Sequence, residues 1–445
     1  MKITIIGAGR VGVHLAKYFA NEQQDVYLVD CDSTKLAMLE SDYNMRTFVG
    51  ESIDYNVLWQ ANSHNADVFV AVTGSTAENL VACAMAKSMG AKKTIARVNR
   101  PNFRENANED VLHKMGVDHV VFPDYIAAQA VISSLDHPWC RSWNNFYDNR
   151  IILAAVSVNE ESPIVGKYLR ELISDSELLH ISALRRRHET IIPGGNDRIA
   201  AGDLLYITST VQGLDKVMAL TGKKKSVIRK VIIMGGSNIA RLVVNEAGKR
   251  FSFVIIEKDI DRCRELTETC VNGEIIYGDG SEEDVLQEAG INKCDAFVAL
   301  SDVSESNVLA CLTAKEAGVV RTIAEVEKER LIERAEAFRL GQVVNKPILT
   351  AHAIFQLILE GDDESSKCFV ISDAEVVRME ISEDSSLTRS AVKDLNLPSG
   401  ITFAGLVRDG EGQLVTGATR FRGGDKVIVF CLPGTFDKVE KLFRK

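Results

Sequence analysis

The chain reads as an α/β protein built twice over, each half a parallel-sheet domain followed by a small α/β module. Three observations predict this. The sequence matches itself at an offset of about 228 residues, sustained over about a hundred positions, which marks a duplication. Within each copy, short β-branched apolar runs alternate with helical patterns, as βαβ units do when they close into a parallel sheet covered on both faces. At the head of the first copy a glycine-rich run stands between a strand and a helix, the place where a Rossmann-like sheet receives a phosphate.

Taken in order, the first copy places strands at Lys2 to Ile6, Asp25 to Val29, Thr47 to Val49, Val68 to Val72, Thr94 to Val98 and His119 to Phe122. The second repeats the series at Val231 to Met234, Phe253 to Ile256, Glu274 to Tyr277, Ala296 to Leu300, Thr322 to Val326 and Val343 to Asn345. The identities behind the offset are Gly7 with Gly235, Gly50 with Gly278, Asp67 with Asp295, Asn79 with Asn307, Cys83 with Cys311, Lys87 with Lys315 and Gly90 with Gly318. A weaker repeat, offset by about 223 residues, links the follow-on segments: Val158, Glu171, Leu172 and Gly194 fall on Ile381, Asp394, Leu395 and Gly417. Gly202-Asp203 and Gly424-Asp425 each precede an apolar strand, Leu204 to Ile207 and Lys426 to Phe430. Rossmann-like domains are therefore expected at 1–125 and 228–350, and small α/β modules at 140–222 and 365–445. The polar stretch Thr221-Gly222-Lys223-Lys224-Lys225-Ser226 reads as the linker between halves.

At 445 residues the chain is too long for one ordinary core, and its 46% hydrophobic and 26% charged residues are those of an average globular protein. Its longest apolar stretches, Ile151 to Val158 and Val427 to Leu432, fall far short of the roughly 20 residues that span a bilayer. No transmembrane helix is expected. A strand pattern begins at Lys2, which leaves no room for a signal region and predicts a cytosolic protein. The nine cysteines contain no C-x-x-C pair and are expected to be buried thiols. A formal charge of −10 opposes the phosphate neutralisation that duplex binding needs, so nucleic acid is not an expected partner. The eight histidines show no metal spacing, and no Ser/His/Asp or Cys/His nucleophilic arrangement is legible. Asp279, Asp302 and Glu305 gather near the second copy's ligand edge but read as solvated loop acids before they read as a cation site. Arg185-Arg186-Arg187-His188 reads as a solvated strand edge before it reads as an anion or lipid site.

Gly7-Ala8-Gly9-Arg10-Val11-Gly12 follows the first strand and opens the helical pattern of Val11, Leu15, Ala16 and Phe19. Gly7 permits the tight turn, Gly9 lets a phosphate approach the backbone, and Gly12 lets the helix pack closely on the sheet. Helix N-terminal amides then hold the anion. Asp30 closes the second strand, where a carboxylate accepts from ribose hydroxyls and repels a 2′-phosphate, which favours NAD(H) or an adenine nucleotide with an unphosphorylated ribose over NADP. Thr73 and Gly74 follow the fourth strand and could present a hydroxyl and amides, while Arg97 on the fifth strand could neutralise a phosphate. The second copy reads Gly235-Gly236-Ser237-Asn238-Ile239-Ala240, ends its second strand in Glu257, and carries Glu325 where the first has Arg97. It is expected to bind more weakly, to take a different nucleotide, or to bind none.

These residues together resemble the TrkA family, the regulatory subunits of bacterial Trk-type potassium uptake systems, in which a Rossmann domain (the RCK or KTN N-domain) and a small RCK C-domain occur twice in tandem. The resemblance rests on the Gly7 to Gly12 loop with Asp30, on Val49-Gly50-Glu51 and Tyr277-Gly278-Asp279-Gly280, and on Val70-Ala71-Val72-Thr73 with Asn79. Ile95-Ala96-Arg97-Val98 and, in the first module, Ile191-Ile192-Pro193-Gly194 with Ala201-Gly202-Asp203 complete it. The resemblance implies a cytosolic protein, peripheral to the inner face of the membrane. It implies a homo-oligomer, a dimer or tetramer forming a ring beneath an integral-membrane potassium channel or transporter, with NAD(H) and ATP or ADP as ligands. The rival reading is an NAD-dependent dehydrogenase with duplicated Rossmann units. Dehydrogenases usually pair one Rossmann domain with a substrate domain that supplies an acid or base, whereas this chain duplicates the whole unit and alters one phosphate loop. That pattern favours a regulator over an enzyme.

Overall fold

The structure, a computed structural model, describes residues 1–445 apart from 101–102, 104–105, 176, 188, 339, 360–366, 372–373, 396, 433–434 and 444–445. The first half begins with β1 (Lys2–Ile6), α1 (Arg10–Asn21), β2 (Asp25–Asp30), α2 (Ser33–Asp42), β3 (Arg46–Val49) and α3 (Tyr55–Gln60). It continues through β4 (Val68–Ala71), α4 (Thr76–Met89), β5 (Lys93–Arg97), α5 (Asn106–Lys114), β6 (His119–Val121) and α6 (Pro123–Asp136). All six strands run parallel in the order β3-β2-β1-β4-β5-β6. The order reverses between β1 and β4, which places a crevice outside their carboxyl ends. Helices cover both faces, so Ile3, Ile5, Val70 and Ala71 are buried without alternation. The apolar residues read as last in three strands, Val72, Val98 and Phe122, lie one step beyond the ladders, buried all the same.

The first module comprises β7 (Ser142–Phe146), β8 (Ile151–Ser157), β9 (Leu179–Arg186), β10 (Glu189–Ile191), β11 (Leu204–Ser209) and α7 (Leu214–Thr221). The second half then runs β12 (Lys230–Met234), α8 (Asn238–Ala247), β13 (Ser252–Glu257), α9 (Ile260–Thr269), β14 (Gly273–Tyr277) and α10 (Glu283–Glu288). After these come β15 (Ala296–Ala299), α11 (Ser304–Glu316), β16 (Arg321–Glu325), α12 (Glu329–Ala337), β17 (Gln342–Val344) and α13 (Lys346–Leu359). Its parallel sheet has the corresponding order, β14-β13-β12-β15-β16-β17. The second module holds β18 (Lys367–Ile371), β19 (Ala374–Glu380), β20 (Ile401–Arg408), β21 (Glu411–Leu414), β22 (Lys426–Cys431) and α14 (Phe436–Phe443). Both modules are five-stranded antiparallel sheets of equivalent topology, β10-β9-β11-β8-β7 and β18-β19-β22-β20-β21.

The Gly-Asp pairs of the modules mark one repeated device. Gly202 and Gly424 turn the chain at φ +90° and +82°, and the next residue, Asp203 or Asp425, is only 1% exposed. Each aspartate receives a two-pronged guanidinium: Arg186 Nε and Nη2 donate to Asp203 at 2.8 and 2.7 Å, and Arg408 does the same to Asp425 at 2.8 and 2.6 Å. Arg186 thus departs from the solvated edge expected for the basic run, because the buried carboxylate beside it needs a partner. His188 of that run lies outside the described residues.

The described residues group into two compact units, each drawing on both halves of the chain: Met1–Ile132 with Arg229–Ile358, and Ser133–Ile228 with Leu359–Lys445. In the first unit α1 meets α13, with Tyr18 and Phe19 against Phe355 at ring separations of 4.5 and 5.5 Å. In the second unit Phe146, Ile151 and Leu153 share a core with Val376, Ile428 and Phe430. Among the described residues no helix is long and apolar enough to cross a membrane. Seven of the cysteines are buried and outside any disulfide, whereas Cys31, which follows Asp30 at the open end of the sheet, is exposed, contrary to the expectation for that position.

Candidate functional site

In the first crevice the chain leaves β1 at Gly7, whose φ of +98° and whose amide, bonded to Val29 O at 2.8 Å, set the turn. A side chain there would also press on the Thr73 backbone at 3.0 Å, and one at Gly12 would lie 1.8 Å from Gly7 O. Asp30 at the end of β2 holds the loop: Ala8 N donates to its Oδ2 at 2.6 Å and Asp32 N to its Oδ1 at 2.9 Å. Gly9 stands at the N-cap of α1 without a side-chain bond, and nothing would lie within 4 Å of a Cβ at that position. The first-turn amides of Arg10, Val11 and Gly12 are therefore left for an anion. Val11 itself points into the core and offers only its backbone.

Thr73 sits under the same loop, but its amide and hydroxyl both donate to Asn79 Oδ1 at 2.9 Å. Gly74 accepts from Asn99 Nδ2 at 3.1 Å and has open space at its Cα. Asn79 Nδ2 in turn donates to Arg97 O at 2.9 Å, tying the end of β4 to the end of β5. The Arg97 side chain is partly buried, and its Nε has no hydrogen-bond partner among the described residues. Burial lowers its pKa, with Asp124 and Glu327 opposing that shift. Arg10, on the loop, is exposed and pairs with Glu327. The crevice thus brings together uncapped amides, Asp30 and two guanidinium groups.

The second crevice repeats the frame and changes its charge. Gly235 turns at φ +96°, Gly236 N donates to Glu257 Oε2 at 2.6 Å and Asp259 N to Oε1 at 2.9 Å. Asn307 reproduces the Asn79 brace, accepting from Ser301 and donating to Glu325 O at 2.9 Å. Here, however, Ser237 caps α8: its Oγ accepts from Ala240 N at 3.3 Å. Asn238 sits in the first turn with its Oδ1 near Arg241, and Ile239 is buried. Glu325, 7% exposed, lies 3.7 Å from Lys346, which also reaches Asp124 at 3.2 Å. Burial pushes the Glu325 carboxyl up to about 7; Lys346 opposes the shift, and Glu327, Asp124 and Asp302 add to it. A cleft of about 250 Å³ is lined by Gly235, Ser237, Glu257, Arg262, Asp279 and Ser301 among others.

The three acids grouped in the sequence are separately engaged or spread. Glu305 pairs with Lys328, Asp279 accepts from Ser281, and no group of three metal-ligating side chains occurs among the described residues. Sequence reading missed the clamp that Asp30 and Glu257 place on their own loops, the Asn79 and Asn307 braces, and the Ser237 cap. Their signals were present: two asparagines in repeat register, and a serine immediately before a helix, where it is a preferred cap. Lys346 and Asp124 carried no signal, since only packing brings them to Glu325.

Comparison with known proteins places these features. The TrkA-N domain model matches residues 3–123 and 231–346, and the TrkA-C domain model matches 153–222 and 376–444. A Trk system potassium uptake protein TrkA of Azorhizobium caulinodans is 27% identical, covering 100% of this chain and 99% of its own. A Trk system potassium uptake protein TrkA homolog of Archaeoglobus fulgidus is 29% identical, with both chains covered completely, 100% each. Among solved structures, the GsuK channel bound to NAD superposes with a TM-score of 0.62 at 17% identity, covering 99% of this chain and 78% of that one. At that identity the likeness speaks for the fold alone.

Proposed function

The chain belongs to the family of tandem TrkA-N and TrkA-C domain proteins, and on that premise we propose that it is a nucleotide-sensing regulatory subunit that gates an integral-membrane potassium transporter. The single observation that carries the sensing is the first crevice: an uncapped helix N-terminus after β1 and, at the end of β5, Arg97, whose buried Nε lacks a partner among the described residues. A pyrophosphate would supply the acceptors for both. Asp30, already fixed by two backbone amides, keeps lone pairs for ribose hydroxyls. NAD(H) fits this set, as do ATP and ADP; solved structures of similar fold include the GsuK channel bound to NAD and GsuK bound to ADP.

Sensing requires no bond to be made or broken in the nucleotide. The protein would act as a homo-oligomeric ring, peripheral on the cytoplasmic face of the membrane, and the nucleotide would shift the gate only as far as it binds one ring conformation better than another. A tenfold preference moves such an equilibrium by about 1.4 kcal/mol. The chain duplicates the whole two-domain unit, and its relatives carry transport names. Both points favour the regulator over a dehydrogenase.

The reading is tested by calorimetric titration of the full chain with NADH, NAD, ATP and ADP, repeated on Asp30→Ala and Arg97→Ala. Affinity is expected to fall at least tenfold in each variant. NADH absorbance, followed in parallel with a panel of small oxo acids, is expected to stay constant, and reconstituted potassium flux is expected to respond to the nucleotide that binds. Steady NADH oxidation with one oxo acid would overturn the reading in favour of a dehydrogenase.

A further inference from the structure

The two crevices share one fold and differ in what they offer a phosphate. In the first, the N-cap is Gly9 and the amides of α1 face outward without a side-chain acceptor. In the second, the Ser237 hydroxyl has taken the Ala240 amide, so the acceptor that a phosphate would supply is built into the chain. The cleft there measures about 250 Å³, just below the roughly 300–1,000 Å³ of drug-sized ligand sites. That is room for one nucleoside. It continues past Ser237 into a second cavity of about 220 Å³, where a pyrophosphate or second nucleoside would have to go. Asp302, Glu325, Glu327 and Asp124 line that cavity against Lys346 and Arg262. Lys346 is already shared between Asp124 and Glu325, and Arg262 Nε is held by Gly236 O at 2.8 Å. Glu327 is paired with Arg10, and the three remaining carboxylates still outnumber the two cations, a surplus that disfavours a phosphate chain and favours a cation. Glu257, clamped as Asp30 is, remains in place for a ribose.

We infer that the second Rossmann cleft is a nucleoside site that excludes phosphate and prefers a nucleoside carrying a positive charge at the 5′ position. The two halves of the chain then read different metabolites, the first a nucleotide through its phosphates and the second a nucleoside through its ribose and charge. The inference rests on the nucleotide reading of the first cleft only for that contrast; the second site stands on its own residues.

The test uses the full chain carrying Gly9→Asp, which sets a carboxylate where the first cleft would hold a phosphate; a Cβ added there meets nothing within 4 Å. Calorimetric titrations use adenosine, 5′-amino-5′-deoxyadenosine, AMP and ADP. Adenosine is expected to bind this variant, the amino analogue at least tenfold more tightly than adenosine, and AMP and ADP at least tenfold more weakly. Adding Ser237→Gly and Glu325→Gln, which uncap α8 and remove a carboxylate, is expected to raise AMP affinity at least tenfold. Binding of AMP or ADP to Gly9→Asp as tight as that of adenosine overturns the inference, as does absence of adenosine binding or an unchanged AMP affinity after uncapping. If ADP fails to bind the unsubstituted chain, the nucleotide reading of the first cleft falls, while adenosine binding to Gly9→Asp still decides the second site.

Discussion

At the scale of single residues, one charge reversal separates the two crevices. Arg97 and Glu325 occupy equivalent strand ends, each braced through its carbonyl by an asparagine, yet one side chain is a partly buried cation and the other a buried acid. Glu325 has a pKa raised by burial to about 7, above its unfolded value of 4.5. Below the unfolded value the group is neutral in both states. As pH rises from about 4.5 to about 7 the unfolded chain gives up the proton first, so stability falls across that window and then levels. A shift of that size corresponds to roughly 3–4 kcal/mol at about 1.4 kcal/mol per unit. Glu325→Gln is expected to be more stable than the unsubstituted chain at pH 8 and to converge with it at pH 4.5, read from urea midpoints at each pH. His180 and His352 slope the other way: burial lowers both to about 4, so the stability they carry is lost as pH falls from about 6.5 to about 4. The comparison is therefore made between variant and parent at each pH.

At the scale of elements, the modules show how a local pattern misleads. Three arginines in a row looked like a wet strand edge, but β9 carries Arg186 to Asp203 and β20 carries Arg408 to Asp425 at equivalent places in the two sheets. The aspartates are buried while Arg186 keeps 42% of its side chain in solvent. Removing the two partners should therefore have unequal effects. Arg186→Met leaves a buried carboxylate unpaired and is expected to cost about 3–5 kcal/mol. Asp203→Asn leaves a half-exposed guanidinium that water can reach and an amide that still accepts, and is expected to cost less than half as much. Guanidinium melts of the two variants check this, and equal losses would contradict the assignment of the burden to Asp203. Helix ends tell a parallel story, since a serine and a glycine at the same N-cap turn one frame into two different sites.

At the scale of the molecule, the duplicated parts associate with their own kind. Rossmann-like halves pair in one unit and modules in the other, with Phe355 of α13 lodged against Tyr18 and Phe19 of α1. Phe355 is 5% exposed, so Phe355→Ala should cost about 3–5 kcal/mol. Because the lost contacts are shared, the effect should appear in the first half as well. Trp59 is the sole tryptophan of that unit, and with Trp139→Phe and Trp143→Phe as background its fluorescence is expected to report an unfolding midpoint lowered by the distant substitution. An unmoved Trp59 transition would mean that the halves unfold independently.

What the sequence determined by itself was whatever local periodicity and repetition encode: the duplication, the strands to within a residue at most ends, the two glycine turns between strand and helix and the acids that follow them. These were legible because a strand, a glycine turn and a helix start each depend on residues adjacent in the chain. The tertiary structure alone decided what those residues do with their atoms. Asp30 and Glu257 clamp their own loops, Thr73 is committed to Asn79, and Arg10 and Lys346 find carboxylates from the other half of the chain. Charge acts through space and burial rather than along the chain, so whether a crevice welcomes or repels a phosphate depends on which side chains packing brings to its rim.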